Sequence, residues 1–195
     1  MLLSLKGLRK FRIKATDGEI GKVRDIFFEE ETRAIRYLVV DTGNWLARHE
    51  VLLSPPALGR PNGKKELIPV DLTRKEVENS PDISCDPPIS RKEERELFLY
   101  YNWPMYWAGD VPFAGAVPPV PFRPKEEEKE EKEKKEEGPR LRSGDEVKGY
   151  HIKARDGEIG HIEDLVIDDE AWVLRYLAVD PRDWLPGRKV LTAVQ

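Results

Sequence analysis

Two short loops of this chain bring carboxylates and glycines together in the same order. Asp17-Gly18-Glu19-Ile20-Gly21 returns as Asp156-Gly157-Glu158-Ile159-Gly160. Paired carboxylates can act in acid–base catalysis when a water-excluding pocket separates their pKa values, or bind calcium when further oxygens complete the shell. A short Asp-Gly turn provides neither, because Gly accepts positive φ and Asp bonds to the backbone two residues on. We therefore predict structural turns, defined by Asp17, Gly18, Gly21, Asp156, Gly157 and Gly160.

The other residue types that carry chemistry in proteins show no functional spacing. None of the three histidines, His49, His151 and His161, has a cysteine or a second histidine at metal-ligand spacing. The only cysteine, Cys85, can form neither an internal disulfide nor a cysteine-based metal cluster. A glycine-rich loop at residues 59–65 lacks the Ser or Thr that follows the lysine of a phosphate-binding loop, and its Asn-Gly pair predicts a hairpin turn. We predict no catalytic residue, no metal and no cofactor.

The composition of the 195-residue chain bounds its class and its partners. Charged residues make up 36% and apolar residues 39%, which indicates ordered modules joined by a solvated segment. The formal net charge of -4 gives no positive field of the kind that nonspecific nucleic-acid binding requires. A single cysteine fits a reducing compartment, and the sequence shows neither a signal peptide nor an apolar stretch of about 18 residues. We expect a soluble, cytoplasmic protein that does not bind nucleic acid.

The two turns belong to an internal repeat. With a shift of 139 positions, residues 13–56 align with residues 152–195 without a gap, and 19 of the 44 pairs are identical. We call these segments the first and second repeat, and residues 139 positions apart counterparts. Each repeat contains short apolar, β-branched runs separated by turn signals, a pattern typical of a strand meander in a small barrel or sandwich. The internal identity indicates a duplicated module.

An arginine lies inside the most apolar run of each repeat. Arg36 and its counterpart Arg175 are surrounded by Leu, Tyr and Val residues that predict a central strand. A guanidinium group in such a strand needs a carboxylate partner or a path to solvent. For Arg36 we expect an ion pair with Asp25 or Asp41. For Arg175 we expect one with Asp164 or Asp180, the counterparts of these aspartates. Recognition of a partner protein is the alternative role.

The order of these motifs resembles one known family. Asp-Gly-Glu-Ile-Gly, a hairpin, Arg-Tyr-Leu-x-Val-Asp, and then Trp-Leu and Val-Leu occur in both repeats. This combination resembles the PRC-barrel family, which is named after the cytoplasmic domain of the photosynthetic reaction centre H subunit and has a relative in the ribosome maturation factor RimM. The resemblance implies an all-β fold of two small antiparallel PRC-type β-barrels in tandem, used as docking modules rather than as catalytic bodies.

The expected domain boundaries follow from composition and turn signals. Residues 5–80 form the first PRC-like barrel, with a closing strand at residues 67–72 and then a short helix, which begins at a capping box. Residues 146–195 form the second barrel, which lacks a counterpart of the closing strand. An unpaired barrel edge is a template for another strand. We therefore expect connector residues or a second subunit to cover this edge.

The amino-acid composition of the connector between the barrels, residues 81–145, changes along its length. Ser90 and Glu93 form a second capping box, which predicts a helix. Prolines then favour extended chain, and a run of Lys and Glu forms either a solvated helix or a disordered segment. The connector comprises, in order, a helix at 91–101, an aromatic stretch at 98–107, a proline-rich segment at 111–124 and a Lys/Glu-rich segment at 125–137. We expect it to be partly disordered.

Aromatic side chains provide the candidate partner-binding residues. The aromatic stretch supplies Trp103, Tyr106 and Trp107, and large aromatics are enriched at protein interfaces. The alternative is that this stretch folds back on the first barrel and completes its small core. Trp45 and its counterpart Trp184 occupy matched loops, where we expect them to cover a barrel mouth, with docking as a second role.

The expected function comes from the family resemblance. It implies a non-enzymatic scaffold or adaptor that binds a protein partner through PRC-barrel surfaces, in one version of this hypothesis at a membrane surface. The alternative is an RNA-processing or ribosome-assembly factor similar to RimM. Because duplicated modules carry the same surface twice, we also expect the barrels to pack on each other about a pseudo-twofold axis or to form a homodimer.

Overall fold

Strands make up most of the regular structure, and the helices are short. The computed structural model describes residues 1–47, 49–86, 88–106, 140–154, 157–181 and 190–193. In chain order the elements are β1 (Leu2–Ser4), α1 (Leu5–Leu8), β2 (Arg12–Ala15), β3 (Gly18–Glu29), β4 (Ile35–Asp41), β5 (Glu50–Leu53), a 3-10 turn (Pro55–Ala57), β6 (Leu67–Pro69), α2 (Arg74–Glu78), α3 (Arg91–Tyr100), β7 (Leu141–Ser143), α4 (Gly144–Val147), β8 (His151–Ala154), β9 (Gly157–Asp168), β10 (Val173–Asp180) and β11 (Val190–Ala193). The predicted all-β fold class is confirmed.

The strands form two open sheets. One sheet has the order β5-β4-β3-β2-β6, with β7 also paired to β3; the other has the order β1-β9-β10-β11, with β8 also paired to β9. Pairing is antiparallel except between β2 and β6. In the described residues the expected barrels are two open sheets, because the outermost described strands of each sheet do not pair with one another. In the first repeat, Pro55 and Pro56 turn the chain away after β5, since proline has no N–H group to extend the ladder.

The two repeats exchange one strand with each other. β1, which precedes the first repeat in the chain, pairs with β9 of the second repeat, and β7, which precedes the second repeat, pairs with β3 of the first. The registers match: Leu2 lies opposite Asp168, and its counterpart Leu141 lies opposite Glu29. The structural correspondence between the repeats therefore extends back to Leu2, and each sheet includes a strand from the other half of the chain.

A second contact joins the two halves at their longest hairpins. The β3–β4 hairpin of the first repeat and the β9–β10 hairpin of the second meet in an isolated antiparallel bridge. The exchanged strands and this bridge thus relate each half of the chain to the other through counterpart residues.

The part of the connector that precedes residue 107 belongs to the hydrophobic core. Phe98 of α3 packs edge-to-face on Tyr37 of β4, with ring centroids 6.3 Å apart. Trp103 packs edge-to-face on Phe98 at 5.6 Å and stacks on Tyr101 at 4.3 Å. These aromatic contacts cover one face of the first sheet with α3 and the residues after it.

Both predicted capping boxes start helices. Thr73 and Glu76 bond reciprocally at the start of α2, and Ser90 and Glu93 do so at the start of α3. These bonds satisfy backbone N–H groups that a helix cannot pair internally. Within the described residues, no helix has both the length and the apolar character needed to cross a membrane.

Candidate docking cleft

A cleft of about 950 Å³ lies where the first repeat, the connector before α3 and the β7–α4 segment meet. Strands β3, β4 and β5 of the first repeat form one side, and the connector before α3 forms another. The third side is β7 and α4, which reach this position through the strand exchange. The lining residues are Arg24, Asp25, Phe27, Val39, Glu50, Cys85, Asp86, Pro88, Ile89, Ser90, Arg140, Leu141, Arg142, Ser143, Asp145 and Glu146.

The cleft has an apolar floor and a charged rim. Phe27, Val39 and Leu141 are almost completely buried and contribute the floor. Five carboxylates and three guanidinium groups also line the cleft. Five of these charged residues are exposed, and both signs are represented among them: Arg24, Asp86, Arg140, Asp145 and Glu146. A ligand in the cleft therefore meets polar and apolar surface in roughly equal parts, with charges of both signs.

Ion pairs order part of the rim. Arg24 of β3 pairs with Glu50 of β5 across the first sheet. Arg142 of β7 pairs with Glu146 of α4, with 2.7 Å between Nη1 and Oε1. Exposed pairs of this kind contribute little to stability. Their main effect is to hold these long side chains at the edge of the cleft.

Asp25 anchors the exchanged segment at the inner end of the cleft. Its buried carboxylate accepts a hydrogen bond from Ser143 Oγ at 2.5 Å and another from the backbone N–H of Asp145 at 3.4 Å. Arg9 Nη2 lies 3.5 Å from the Asp25 carboxylate and 2.5 Å from that of Asp145. Burial raises the pKa of Asp25, and the bond from Ser143 opposes this shift. Asp25 thus caps a helix of the other half of the chain.

The same contact occurs at the counterpart position. The backbone N–H of Lys6, in α1, donates to Asp164 Oδ1 at 3.2 Å, as the N–H of Asp145 donates to Asp25. Lys6 and Asp145 are counterparts, and so are Asp164 and Asp25. Each repeat therefore supplies an aspartate to a short helix that enters from the other half.

Close strand crossings explain one glycine of each turn motif. A Cβ atom on Gly21 would overlap the carbonyl oxygen of Asp41, and one on Gly160 would overlap that of Asp180. These carbonyl groups end the neighbouring strands β4 and β10. Glycine is therefore needed where β3 and β9 pass closest to the adjacent backbone.

The aspartate of the first turn motif makes a structural contact. Asp17 Oδ1 accepts a hydrogen bond from the backbone N–H of Arg74 at 2.8 Å, which ties the β2–β3 turn to the first residue of α2. Gly18 and Gly157 begin the two long strands β3 and β9. Asp156 lies outside the described residues. The Asp17 carboxylate therefore acts here as a turn and helix-capping group.

The sequence comparison matches the first repeat and the chain just after it. Residues 11–83, which include β2 to β6 and α2, match the family model of the PRC-barrel domain. The chain carries a PRC-barrel domain. Domains of this family are in general non-catalytic scaffold or binding modules. No curated protein matches the chain. That the second repeat is a further PRC-barrel domain remains a prediction.

Trp45 is engaged within the PRC-barrel domain. Its indole N–H donates to the carbonyl oxygen of Ile20 at 2.6 Å. The Arg74 guanidinium lies 4.5 Å from the centroid of its ring, within the range of a cation–π contact. These contacts hold the half-buried ring against β3 and the start of α2. Its counterpart Trp184 lies outside the described residues.

The aromatic stretch packs against the PRC-barrel domain. Trp103 is only 9% exposed. The Tyr106 hydroxyl donates to Glu94 Oε1 at 2.8 Å, and the Arg36 guanidinium lies 3.7 Å from the centroid of the Tyr106 ring. Trp107 lies outside the described residues. In this packing, Trp103 offers almost no surface to a partner.

A buried carboxylate that the sequence analysis missed links α3 to the domain. Glu94 is 0% exposed and accepts hydrogen bonds, each 2.8 Å long, from the Tyr37 hydroxyl, the Tyr106 hydroxyl and the Arg91 guanidinium. Burial raises the pKa of Glu94, and burial with the nearby carboxylate raises the pKa of both tyrosines. One sequence signal exists: Glu94 precedes the buried Leu97 by three residues, so both share one face of the helix.

The strand arginines pair within their own hairpins. Arg36 Nε donates to Glu29 Oε2 at 3.1 Å, and the counterpart residues Arg175 and Asp168 form an ion pair at the same distance. The partner of Arg36 is neither of the two predicted aspartates. Asp25 caps α4 instead, so its carboxylate is directed to the exchanged segment.

Proposed function

We propose that this protein is a non-catalytic adaptor that holds a segment of a partner protein in the cleft between its first repeat, the connector and the β7–α4 segment. One observation carries the proposal: the cleft walls come from the PRC-barrel domain, the connector and the exchanged β7–α4 segment together. The binding surface therefore exists only in the assembled molecule. A partner that binds it stabilises that assembly by mass action.

The charges of the cleft indicate the chemistry of the partner segment. The exposed groups Asp86 and Arg140 present one charge of each sign, while other rim charges are already paired. A segment with one basic and one acidic side chain at matching positions would be complementary. Charge complementarity of this kind provides specificity and register more than affinity.

The alternative of RNA binding is not favoured by this surface. A nucleic-acid backbone requires a run of positive charge, because each neutralised phosphate contributes to binding. The cleft instead has more carboxylates than guanidinium groups. A polypeptide, which can present both signs, fits the mixed lining better.

Cys85 allows the proposal to be tested on the full chain. It is the only cysteine, and it lines the cleft. A photoreactive benzophenone attached to Cys85 should cross-link the partner, and the cross-linked peptide should contain both a basic and an acidic residue. A variant with Cys85→Ser and Lys10→Cys, labelled at an exposed site outside the cleft, should not give this product.

Binding of the purified partner, measured by calorimetry, then tests the surface itself. Arg140→Glu and Asp86→Lys should each weaken binding roughly tenfold, which corresponds to the loss of about one charge-assisted contact. Lys10→Glu serves as the charge-changing control and should bind as the native protein does. Equal affinity for all three variants would overturn the proposal.

A further inference from the structure

Among the described residues, the same sheet face is covered in the first repeat and open in the second. Leu52 of β5 is 4% exposed, whereas its counterpart Leu191 of β11 is 60% exposed. Tyr37 is fully buried, whereas its counterpart Tyr176 is only partly buried. The two sheets have the same strands in the same registers here, so the difference arises from what lies on top of each face.

In the first repeat, α3 covers this face. Phe98 contacts the Tyr37 ring, the neighbouring Leu97 is buried, and Glu94 accepts the hydrogen bond of the Tyr37 hydroxyl. Glu94, Leu97 and Phe98 have the i, i+3, i+4 spacing that places side chains on one side of a helix. Arg36, at the rim, adds a cation–π contact with Tyr106 just after the helix. The occupant is therefore an amphipathic helix with one carboxylate and a following aromatic ring.

The second repeat keeps the polar groups that recognise this helix. Tyr176 replaces Tyr37, and Arg175 replaces Arg36 and is held by Asp168 as Arg36 is held by Glu29. The apolar part of the face also persists but has smaller side chains at the counterparts of Phe27 and Val39, which are Val166 and Ala178. The face of the second repeat therefore keeps the tyrosine and the arginine, and its smaller apolar side chains leave more room for an apolar side chain of a partner.

We propose that the sheet face formed by Val166, Tyr176 and Leu191, with Arg175 at its rim, binds an amphipathic helix of a partner protein. The partner helix carries a Glu-x-x-Leu-Phe pattern like that of α3, and an aromatic residue follows it. The Glu of the partner helix accepts a hydrogen bond from the Tyr176 hydroxyl, and its Leu and Phe cover Leu191. The aromatic ring that follows the helix stacks on the Arg175 guanidinium. Such a helix laid on an apolar face is a common mode of peptide recognition.

This helix-binding face is separate from the cleft and does not depend on the function proposed for it. The cleft is lined by β3, β4, β5, β7, α4 and the connector, whereas this face belongs to β9, β10 and β11. Arg140→Glu, which alters the cleft, should leave helix binding unchanged. The two proposals can therefore fail independently.

A peptide taken from the chain itself is a suitable probe, because its fit to the counterpart face is known. A fluorescent peptide of residues 88–106 should bind the full chain in an anisotropy titration. Leu191→Glu should weaken binding more than tenfold, because it places a charge in the apolar contact. Tyr176→Phe should weaken it roughly tenfold, because the hydrogen bond to a charged group is lost.

Matched controls show where the peptide binds. Lys153→Glu, an exposed change on the neighbouring strand β8, should not affect the titration. A peptide with Glu94→Ala and Phe98→Ala should not bind. The absence of peptide binding, or binding that Leu191→Glu leaves unchanged, would overturn the proposal. An effect of Tyr37→Phe without an effect of Tyr176→Phe would also overturn it, since the peptide would then be displacing α3 from the first repeat.

Discussion

Ala34 forms an antiparallel β-bridge with Val173, the residue at the same position of the second repeat. The hydrogen bonds on either side are equally reciprocal, at 2.8 Å from the Ile35 N–H to Trp172 and 2.9 Å from the Leu174 N–H to Arg33. A residue that contacts its own counterpart lies on a twofold axis. At this point the two repeats therefore contact each other through equivalent residues, as the subunits of a symmetric dimer do.

The hydroxyl of Ser143 should matter more to stability than that of its counterpart Ser4. Ser143→Ala removes both the cap of α4 and the hydrogen bond to buried Asp25, whereas Ser4→Ala removes only the cap bond that the Gly7 N–H donates to Ser4 Oγ. We expect Ser143→Ala to lower the free energy of unfolding by about 1–2 kcal/mol, and Ser4→Ala by about 1 kcal/mol or less. Urea denaturation of both variants measures the difference. Equal losses would show that the Asp25 contact contributes nothing.

The two counterpart tyrosines should respond differently to loss of the hydroxyl. Tyr37→Phe leaves the fully buried Glu94 carboxylate with one hydrogen-bond donor fewer, and should lower the free energy of unfolding by about 1–3 kcal/mol. Tyr176→Phe, on the open face, should change it by less than about 0.5 kcal/mol. Thermal and urea denaturation compare the pair. A larger loss at Tyr176 would contradict the assignment of the covered and open faces.

Glu94 should make stability depend on pH in a defined direction. Burial raises the pKa of its carboxyl group in the folded protein above the ordinary value of 4.5, so the folded state holds the proton more tightly than the unfolded chain does. Its contribution to the free energy of unfolding is therefore greatest at low pH and falls as the pH rises from the unfolded pKa through the raised folded pKa. Glu94→Gln removes this titration.

The measurement is the difference in the free energy of unfolding between the native protein and Glu94→Gln across the acidic to neutral range. This difference should fall as the pH rises through that window and be constant on both sides of it. Subtracting the variant cancels carboxylates with lowered pKa, such as Glu29, whose contribution has the opposite sign. A difference that grows with pH would mean that the bonds from Tyr37 and Arg91 outweigh burial.

Trp103 should behave as a core residue. Trp103→Ala removes a nearly buried ring that packs on Phe98 and Tyr101, and should lower the free energy of unfolding by about 3–5 kcal/mol. Leu99→Ala, at a 65% exposed position of α3 just before Trp103, is the control and should change it little. Limited proteolysis should also leave residues 100–106 of the native protein intact. Rapid cleavage there would contradict the packed arrangement.

The fold class could be predicted from local signals, whereas the strand exchange could not. Short apolar, β-branched runs and the two Asp-Gly turns indicate strands and a repeat without any knowledge of distant contacts. β1 has only three residues, and its register with β9 is the same as that of β7 with β3. No signal in the local sequence determines whether such a strand pairs within its own half of the chain or with the other half. The hairpin contact between Ala34 and Val173 brings the two halves within reach of each other.

The contacts of the charged residues Arg36 and Glu94 also could not be predicted from the local sequence. The run around Arg36 predicts its place in a strand, but its partner depends on the register of β3 and β4, which shifts between Phe27 and Phe28. Glu94 belongs to a helix rich in charges that would normally face solvent. It can be buried because donors from β4, α3 and the segment after α3 converge on it, and sequence alone does not show that convergence.

Disulfide trapping separates the exchanged arrangement from one in which each half keeps its own strand. In a Cys85→Ser background, Leu2→Cys with Asp168→Cys should form a bond within a single chain, as should Leu141→Cys with Glu29→Cys, because each pair lies directly opposite in a ladder. Leu2→Cys with Glu29→Cys, the pair expected without exchange, should stay reduced. Oxidation of that third pair, with the first two unreacted or linked only between chains, would contradict the shared assembly on which the cleft depends.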